Sequence, residues 1–311
     1  MNSSDEKPGS ESARRESTLT LRKTSRSGNS LAAIDLAAVT HPGHVRENNE
    51  DHYLIAQFGR SLKTVLTNLD EGVLAQSYDF TGYGLLVADG LGGLAAGEVA
   101  SSTALAKLVE LVVETPDWML GLRREQDVST VVQRMTQRFM KIDQTLKEQA
   151  ERDTTLRGMG TTLTVAATLG NDMIVGHVGD SRAYLFHDQR LMQLTTDHTL
   201  AQALIDAGVA RPDEPATRST RHVLTAALGS PGQQVDPQIH RGQLSAGDQI
   251  LLCTDGLTEM VDDRTISNVL QDTTSAQGAC QSLVNLALAA GGLDNITVVL
   301  ARFDHLPFLP A

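Results

Sequence analysis

Short β-prone runs follow one another through this chain, with only brief turns between most of them. Eight runs rich in Val, Ile, Leu and Thr predict strands at residues 32–39, 52–56, 83–88, 161–169, 173–178, 183–186, 249–253 and 296–301. Apolar residues at helical spacing predict helices at 95–114, 128–149 and 276–290. This order lacks the strict strand–helix alternation of a doubly wound parallel sheet. We therefore predict an α+β fold, a four-layer α-β-β-α sandwich of two packed antiparallel sheets flanked by helices.

The first 30 residues differ in composition from the rest of the chain. They contain eight serines and ten charged residues but few apolar ones. Such a segment cannot bury enough apolar surface to offset the entropy lost on ordering. We expect residues 1–30 to form a disordered tail and residues 31–305 to form one domain.

Charge and composition exclude several classes of protein. A formal net charge of −12 at pH 7 argues against a nucleic-acid binder. No apolar run is long enough for a membrane span, and the N-terminus lacks the apolar core of a signal peptide. The two cysteines are too few for a disulfide framework, so we expect a cytoplasmic protein.

An aspartate stands at the end of a predicted strand, near Gly or Asn, in five places: Asp51, Asp89, Asp180, Asp255 and Asp294. Each alone is explained as a turn, because Asp caps its own backbone and Gly accepts positive φ. Together at one sheet edge, however, several carboxylates repel one another unless a cation lies between them. Oxygen ligands of this kind suit Mg²⁺ or Mn²⁺, and Gly90 would let its own carbonyl approach such an ion.

Six motifs in order, RENNED, DGLGG, GMGTT, VGDSR, TDGLTE and DN, carry a family resemblance. Together they resemble the metal-dependent protein serine/threonine phosphatases, the PPM or type-2C family, in their bacterial form. The resemblance runs from residue 35 to about residue 303. It implies a β-sandwich flanked by helices, with a binuclear magnesium or manganese centre at one end.

The resemblance also implies roles for single residues. The implied ligands of the two ions are Asp51, Asp89, Asp255, Asp294, the Gly90 carbonyl and, through water, Glu50. Arg46 matches the arginine that binds the substrate phosphate, although it could instead be a surface residue paired with Glu47 or Glu50. Asp180, with Glu259 nearby, matches acids that hold a third, weaker ion, although Asp180 could instead only cap its turn.

The activity implied is hydrolysis of phosphoserine and phosphothreonine in proteins, by a water activated at a centre of two or three Mn²⁺ or Mg²⁺ ions. Phosphorylated proteins would be the substrates, and a Hanks-type serine/threonine kinase would be the opposing enzyme. One alternative is a phosphatase of an anti-sigma-factor antagonist in a partner-switching circuit. Another is a catalytically dead binding module, which the complete set of aspartates argues against.

One position departs from the family pattern. Leu91 stands where many eukaryotic members have a histidine that is proposed to protonate the leaving group. The leaving-group acid is therefore unassigned: His44 and His198 are available in loops, and a metal-bound water is the alternative we favour. Residues 196–230, with a predicted helix at 199–207, fall where the family carries a mobile flap beside the active site.

Overall fold

Two five-stranded antiparallel sheets form the framework of the described chain. The structure, a computed structural model, describes residues 34–66, 68–70, 77–92, 96–115, 125–212, 214–232 and 235–304. The tail predicted over residues 1–30 lies outside these described residues.

The first sheet contains β1 (Ile34–His41), β12 (Ile296–Phe303), β11 (Gln249–Cys253), β8 (Arg182–His187) and β9 (Arg190–Gln193), in that spatial order. The second contains β10 (Gln238–Gln243), β7 (Asp172–Val178), β6 (Leu163–Leu169), β3 (Ser77–Ala88) and β2 (His52–Lys63). A short pair, β4 (Gly90–Leu91) and β5 (Gly160–Thr161), lies beyond the end of β3. Neighbouring strands are antiparallel in all three sheets.

The helices divide into a long pair, a C-terminal group and short connectors. The long pair is α1 (Ala96–Glu114) and α2 (Glu125–Arg152). The connectors are α3 (Leu200–Asp206), α4 (Pro215–Thr220) and α5 (Asp255–Thr258), and the C-terminal group is α6 (Asp263–Asp272) and α7 (Ala276–Ala289). None of the helices in the described ranges combines the length and apolar character needed to cross a membrane.

Both faces of each sheet are buried, which produces the four layers. In β3, Leu85 and Val87 pack between the sheets, whereas Leu86 packs with residues of α1 and α2. In β11, Ile250 packs between the sheets and Leu251 packs with residues of α6 and α7. Because successive residues of a strand point to opposite faces, continuous apolar runs can fill both interfaces. The predicted α-β-β-α sandwich is confirmed.

The strand predicted at 161–169 is divided in the structure. Thr162 separates β5 from β6 because it pairs with Asp89 instead of continuing the ladder. The Asp89 amide donates to Thr162 Oγ1 at 2.9 Å, and the Thr162 amide donates to the Asp89 carbonyl, also at 2.9 Å. This exchange fixes the backbone of the aspartate that follows β3.

Candidate metal centre

Four aspartates meet at one end of the two sheets because the strands beside them start or stop there. Asp51 precedes β2 and Asp89 follows β3, and these two strand ends are paired. Asp180 lies in the turn between β7 and β8, and Asp255 begins α5 shortly after β11. Carboxylate oxygens of Asp89, Asp180 and Asp255 all lie within 4.8 Å of one another. The strand ends thus form a carboxylate cluster, as the sequence predicts.

Asp51 is buried, and its two carboxylate oxygens have different surroundings. Oδ2 accepts hydrogen bonds from the hydroxyls of Thr254 at 2.8 Å and Thr297 at 2.7 Å. Oδ1 is also buried but has no hydrogen-bond partner among the described residues. Burial raises the pKa of Asp51 to about 7, against the lowering effect of the two threonines. A buried carboxylate oxygen without a donor is stable as an anion only when a cation faces it.

In the other acids of the cluster, too, the surroundings disfavour the ionised carboxylate. Burial raises the pKa of Asp89 and of Asp180 well above the ordinary value, and neighbouring carboxylates raise both further. The pKa of Asp255 is raised to about 6, by burial first and then by Asp294 and Glu259. Asp255 Oδ1 also lacks a hydrogen-bond partner within the described ranges. A divalent cation between these carboxylates would restore their ionised forms.

The chemistry of the donor atoms fits Mg²⁺ or Mn²⁺. The clustered ligand atoms are carboxylate oxygens, which hard divalent cations prefer. The two cysteines, Cys253 and Cys280, instead lie in the apolar core between the first sheet and its helices. The carboxylates that could contact a cation here are those of Asp89, Asp180 and Asp255, which cluster, and that of Asp51, whose buried Oδ1 has no donor among the described residues.

Glu50 lies against the start of α1 because two glycines leave room for it. The Gly90 amide donates to the Glu50 carbonyl at 3.2 Å, and Ser101 Oγ donates to the same carbonyl at 2.6 Å. A Cβ on Gly97 would lie 2.7 Å from Glu50 Oε2, so a larger residue there would displace the carboxylate. The structure thus places Glu50 and Gly90 beside the aspartates, and a metal contact of the Gly90 carbonyl stays a prediction.

Arg46 lies at the exposed edge of the cluster and pairs with Asp294. Arg46 Nη2 is 2.5 Å from Asp294 Oδ2, and 56% of the arginine side chain is exposed. The alternative pairing with Glu47 or Glu50 is therefore not the one observed. This arrangement leaves a forked cation next to the carboxylates and open to solvent, where it can exchange its partner for an incoming anion.

Residues in and near the segment predicted to be the flap form hydrogen bonds and an ion pair with their neighbours. Glu259 accepts a hydrogen bond from His222 at 2.7 Å and lies 3.5 Å from Arg221. His198 Nδ1 lies 3.1 Å from the Gly179 amide, so this ring contacts the turn that carries Asp180. These contacts join the segment around α3 and α4 to the carboxylate cluster. A leaving-group role for His198 or His44 stays a prediction.

Comparison with known proteins identifies the family of this chain. Residues 74–290 match the protein phosphatase 2C family. The chain belongs to this family. The serine/threonine protein phosphatase PstP of Mycobacterium tuberculosis is 39% identical over 217 residues, which are 70% of this chain but only 40% of PstP. Protein phosphatase PhpP of Streptococcus pneumoniae is 30% identical over 274 residues, covering 88% of this chain and 98% of PhpP.

A solved structure of a relative shares the fold. The catalytic domain of PstP, in complex with two manganese ions, aligns with a TM-score of 0.66 and 34% identity. The alignment covers 86% of this chain and 97% of the PstP domain. The manganese ions belong to that structure.

Sequence reasoning about this phosphatase 2C chain missed the polar residues that support the acids. Asn295 accepts from the Glu50 amide at 2.8 Å through Oδ1, while its Nδ2 donates to the carbonyls of Pro42 and Asn48. Thr254 and Thr297 hold Asp51, as described above. The available signal was a polar residue directly beside a predicted ligand, in the pairs Thr254–Asp255 and Asp294–Asn295.

Proposed function

We propose that this protein hydrolyses phosphoserine and phosphothreonine in proteins and requires two or three Mn²⁺ or Mg²⁺ ions to do so. The observation that carries the proposal is the cluster of Asp89, Asp180 and Asp255, with Asp51 beside it and buried, unpartnered oxygens on Asp51 and Asp255. Membership of the protein phosphatase 2C family and the two manganese ions in PstP support it. We further propose that residues 31–305 form the phosphatase domain.

The residues proposed to hold the ions are Asp51, Asp89, the Gly90 carbonyl, Asp255, Asp294 and, through water, Glu50. Asp180 is proposed to hold a third and weaker ion. When bound, divalent cations lower the pKa of a coordinated water toward about 7 and offset the charge of a phosphate. The carboxylates would keep the cations at fixed positions beside the substrate phosphorus.

Arg46 is proposed to bind the phosphate of the substrate. Its guanidinium is exposed, and its partner Asp294 is one of the proposed metal ligands. If Asp294 held a cation instead of pairing with Arg46, Arg46 would be free to donate two parallel hydrogen bonds to phosphate oxygens. The same contact would stabilise the charge on these oxygens in the transition state.

The proposed reaction needs no nucleophile from the protein. Burial raises the pKa of both Cys253 and Cys280 to about 12, so neither thiol ionises near neutral pH. An oxygen from water would form the new bond to phosphorus as the bond to the serine or threonine oxygen breaks. That oxygen leaves with a proton, which we propose comes from a water at the site because Leu91 cannot supply one.

A separate proposal concerns the biological setting. We propose that the substrates are cytoplasmic phosphoproteins, that a Hanks-type kinase opposes the enzyme, and that nucleic acids are not partners. The names of two relatives support phosphoproteins as the substrate class, since PstP is named a serine/threonine protein phosphatase and PhpP a protein phosphatase. A partner-switching phosphatase for an anti-sigma-factor antagonist is the second candidate in the same fold.

Single turnover in heavy-oxygen water tests the proposed chemistry. The full-length protein with manganese is mixed with less than one equivalent of a phosphothreonine peptide, and both products are analysed by mass spectrometry. The expected result is one heavy oxygen in the released phosphate and none in the protein. Label in an enzyme carboxylate or hydroxyl would show covalent catalysis and overturn the proposal. A phosphotyrosine peptide of the same sequence tests the substrate class.

A further inference from the structure

A chain of hydrogen bonds ends on one oxygen of Asp51. Asn49 Nδ2 donates to Thr40 Oγ1 at 2.8 Å, and Thr40 Oγ1 lies 2.8 Å from Thr297 Oγ1. Thr297 Oγ1 in turn donates to Asp51 Oδ2 at 2.7 Å. Thr254 reaches the same Oδ2 from a second side at 2.8 Å. We call Asn49, Thr40, Thr297 and Thr254 the Asp51 clamp.

With Asp51 ionised, the direction of donation in the Asp51 clamp is fixed. A threonine hydroxyl has one proton, and that of Thr297 is used on Asp51, so Thr40 must be the donor in its bond with Thr297. Thr40 then accepts from Asn49, whose amide nitrogen can only donate. Thr254 gives its proton to Asp51 and accepts from the Thr297 amide at 2.9 Å. Thr254 and Thr297 therefore donate to Asp51 Oδ2 directly, and Thr40 donates to it indirectly, through Thr297.

Two members of the Asp51 clamp, Thr254 and Thr297, join Asp51 to two other segments at the carboxylate cluster. Thr254 directly precedes Asp255, and Thr297 lies on β12 just after Asp294. The Thr254 amide also donates to the Thr297 carbonyl at 3.1 Å, which holds these two segments together. Thr254 and Thr297 are buried, and so is the carboxylate they bind. The clamp therefore links the position of Asp51 to those of two other acids.

Two donors on Oδ2 determine what Oδ1 can do. With Oδ2 fixed as an acceptor, rotation of the Asp51 carboxylate would break two buried hydrogen bonds. Oδ1 is held in a buried position where none of the described residues offers it a donor. This is the arrangement that a ligand oxygen needs before its cation arrives, because no reorientation remains to be made on binding.

We propose that Thr254 and Thr297 are positioning residues that hold Asp51 as an oriented acceptor, with Oδ1 directed to a divalent cation. The proposal rests on the proposed metal-dependent function, which it extends to residues that would not touch the cation or the substrate. Thr40 and Asn49 would support Thr297 in the same task.

Calorimetric titration of Mn²⁺ into the metal-free, full-length protein tests the clamp directly. Thr297→Val and Thr254→Val keep the side-chain volume but remove the hydroxyl, whereas Thr297→Ser and Thr254→Ser keep the hydroxyl. The valine variants are expected to weaken the tightest manganese site by about 10–100-fold. The serine variants should bind manganese with nearly wild-type affinity. Thr168→Val is the matched control. Thr168 is buried and accepts a hydrogen bond from the Tyr83 amide, and it lies at the end of β6 that is far from the acids.

The outcomes separate the clamp from the proposed function. Valine variants that are folded, by thermal melting, and bind manganese as wild type does would overturn the clamp while leaving the phosphatase proposal intact. Wild-type protein that binds manganese but does not hydrolyse phosphopeptides would overturn the function and leave the clamp to be judged by calorimetry. A wild-type protein that binds no manganese would overturn both.

Thr40→Val keeps the test decisive if the buried valine variants do not fold. Thr40 is exposed, so its hydroxyl can be removed without disturbing the core. The variant should weaken manganese binding in the same direction, by a smaller factor, and Thr40→Ser should restore it. Unchanged manganese affinity in Thr40→Val would contradict the proposed chain of donors.

Discussion

Asp51 and Asp180 are both buried carboxylates of the same cluster, but they are held in different ways. Asp51 directly precedes β2 and is bound by the hydroxyls of two buried threonines, Thr254 and Thr297. Asp180 lies in the turn after β7, where His198, from the segment leading into α3, contacts the preceding residue, Gly179. On the same side, Glu259 is paired with the exposed residue His222. The Asp51 side of the cluster is therefore held by buried core residues, whereas the Asp180 side is held partly by the core, through Ser181 and Thr162, and partly by connecting loops.

This difference predicts two grades of metal binding. A ligand held by core strands needs little reorganisation when a cation binds, whereas a ligand on a loop-supported turn must be ordered at the same time. We therefore expect tight binding at the side of Asp51, Asp89 and Asp255. Weaker binding is expected at Asp180, where a third ion is proposed.

The largest effect is expected from Asp255→Asn. The change removes a proposed ligand of the tight pair without altering side-chain volume, so turnover should be abolished. Because burial first, and then its acidic neighbours, raise the pKa of Asp255 and disfavour its ionised form, the metal-free variant should melt no lower than wild type. Hydrolysis of p-nitrophenyl phosphate and thermal melting measure the two effects. Asp272→Asn, the same change at an exposed position of α6, is the control, and equal activity in the two variants would refute the ligand role.

The next largest effect is expected from Arg46→Ala. Loss of a preorganised phosphate donor should lower the rate by roughly 10²–10³-fold, while manganese affinity changes little. Steady-state kinetics on a phosphothreonine peptide and manganese calorimetry separate the two quantities. Arg190→Ala removes an exposed arginine on β9 and should be neutral. Wild-type kinetics for Arg46→Ala would mean that Arg46 only neutralises Asp294.

A smaller effect is expected from Asp180→Ala, and it tests the loop-supported side alone. The variant should lose roughly tenfold in rate at low manganese and recover as the manganese concentration rises, because a weak site needs more metal. The tight ions should stay bound in calorimetry. If the manganese dependence of the variant overlays that of wild type, Asp180 is a turn residue and there is no third site.

The smallest effect lies outside both regions, at His187. Its hydrogen bond to Asp248, 2.6 Å long, raises the pKa of His187 in the folded protein. The stability from this pair is complete below the unfolded-state pKa of about 6.5 and is lost as pH rises through the higher folded value. The melting-temperature difference between wild type and His187→Gln should therefore shrink from acidic to alkaline pH, with or without manganese. A difference that grows with pH would contradict this assignment.

Much of the fold could be predicted because the buried strands carry long apolar runs. The strands at 249–253 and 173–178 and the long helices were found close to their observed bounds. The edge strands β9 and β10 were missed because their sequences, RLMQ and QIHRGQ, lack the apolar character on which strand prediction depends. Bounds at the ends of β2 and β3 were also missed, since pairing extends these strands beyond their apolar cores.

The acids of the candidate site could be predicted from the sequence, but the residues that form hydrogen bonds to them could not. Aspartates at strand ends repeat along the sequence, so their convergence follows from the sandwich. The pairing of Arg46 with Asp294 joins residues 248 positions apart, and the bond from Thr297 to Asp51 spans 246. Such contacts depend on how the two sheets are stacked, which local patterns do not specify.

If the aspartate cluster acts through divalent cations, activity must disappear when the metal is removed and return when it is restored. Full-length protein is treated with EDTA, transferred to metal-free buffer and assayed on a phosphothreonine peptide, before and after addition of Mn²⁺. We predict no measurable turnover without metal, full recovery with manganese, and no recovery in Asp255→Asn. Full activity in metal-free buffer would contradict the account.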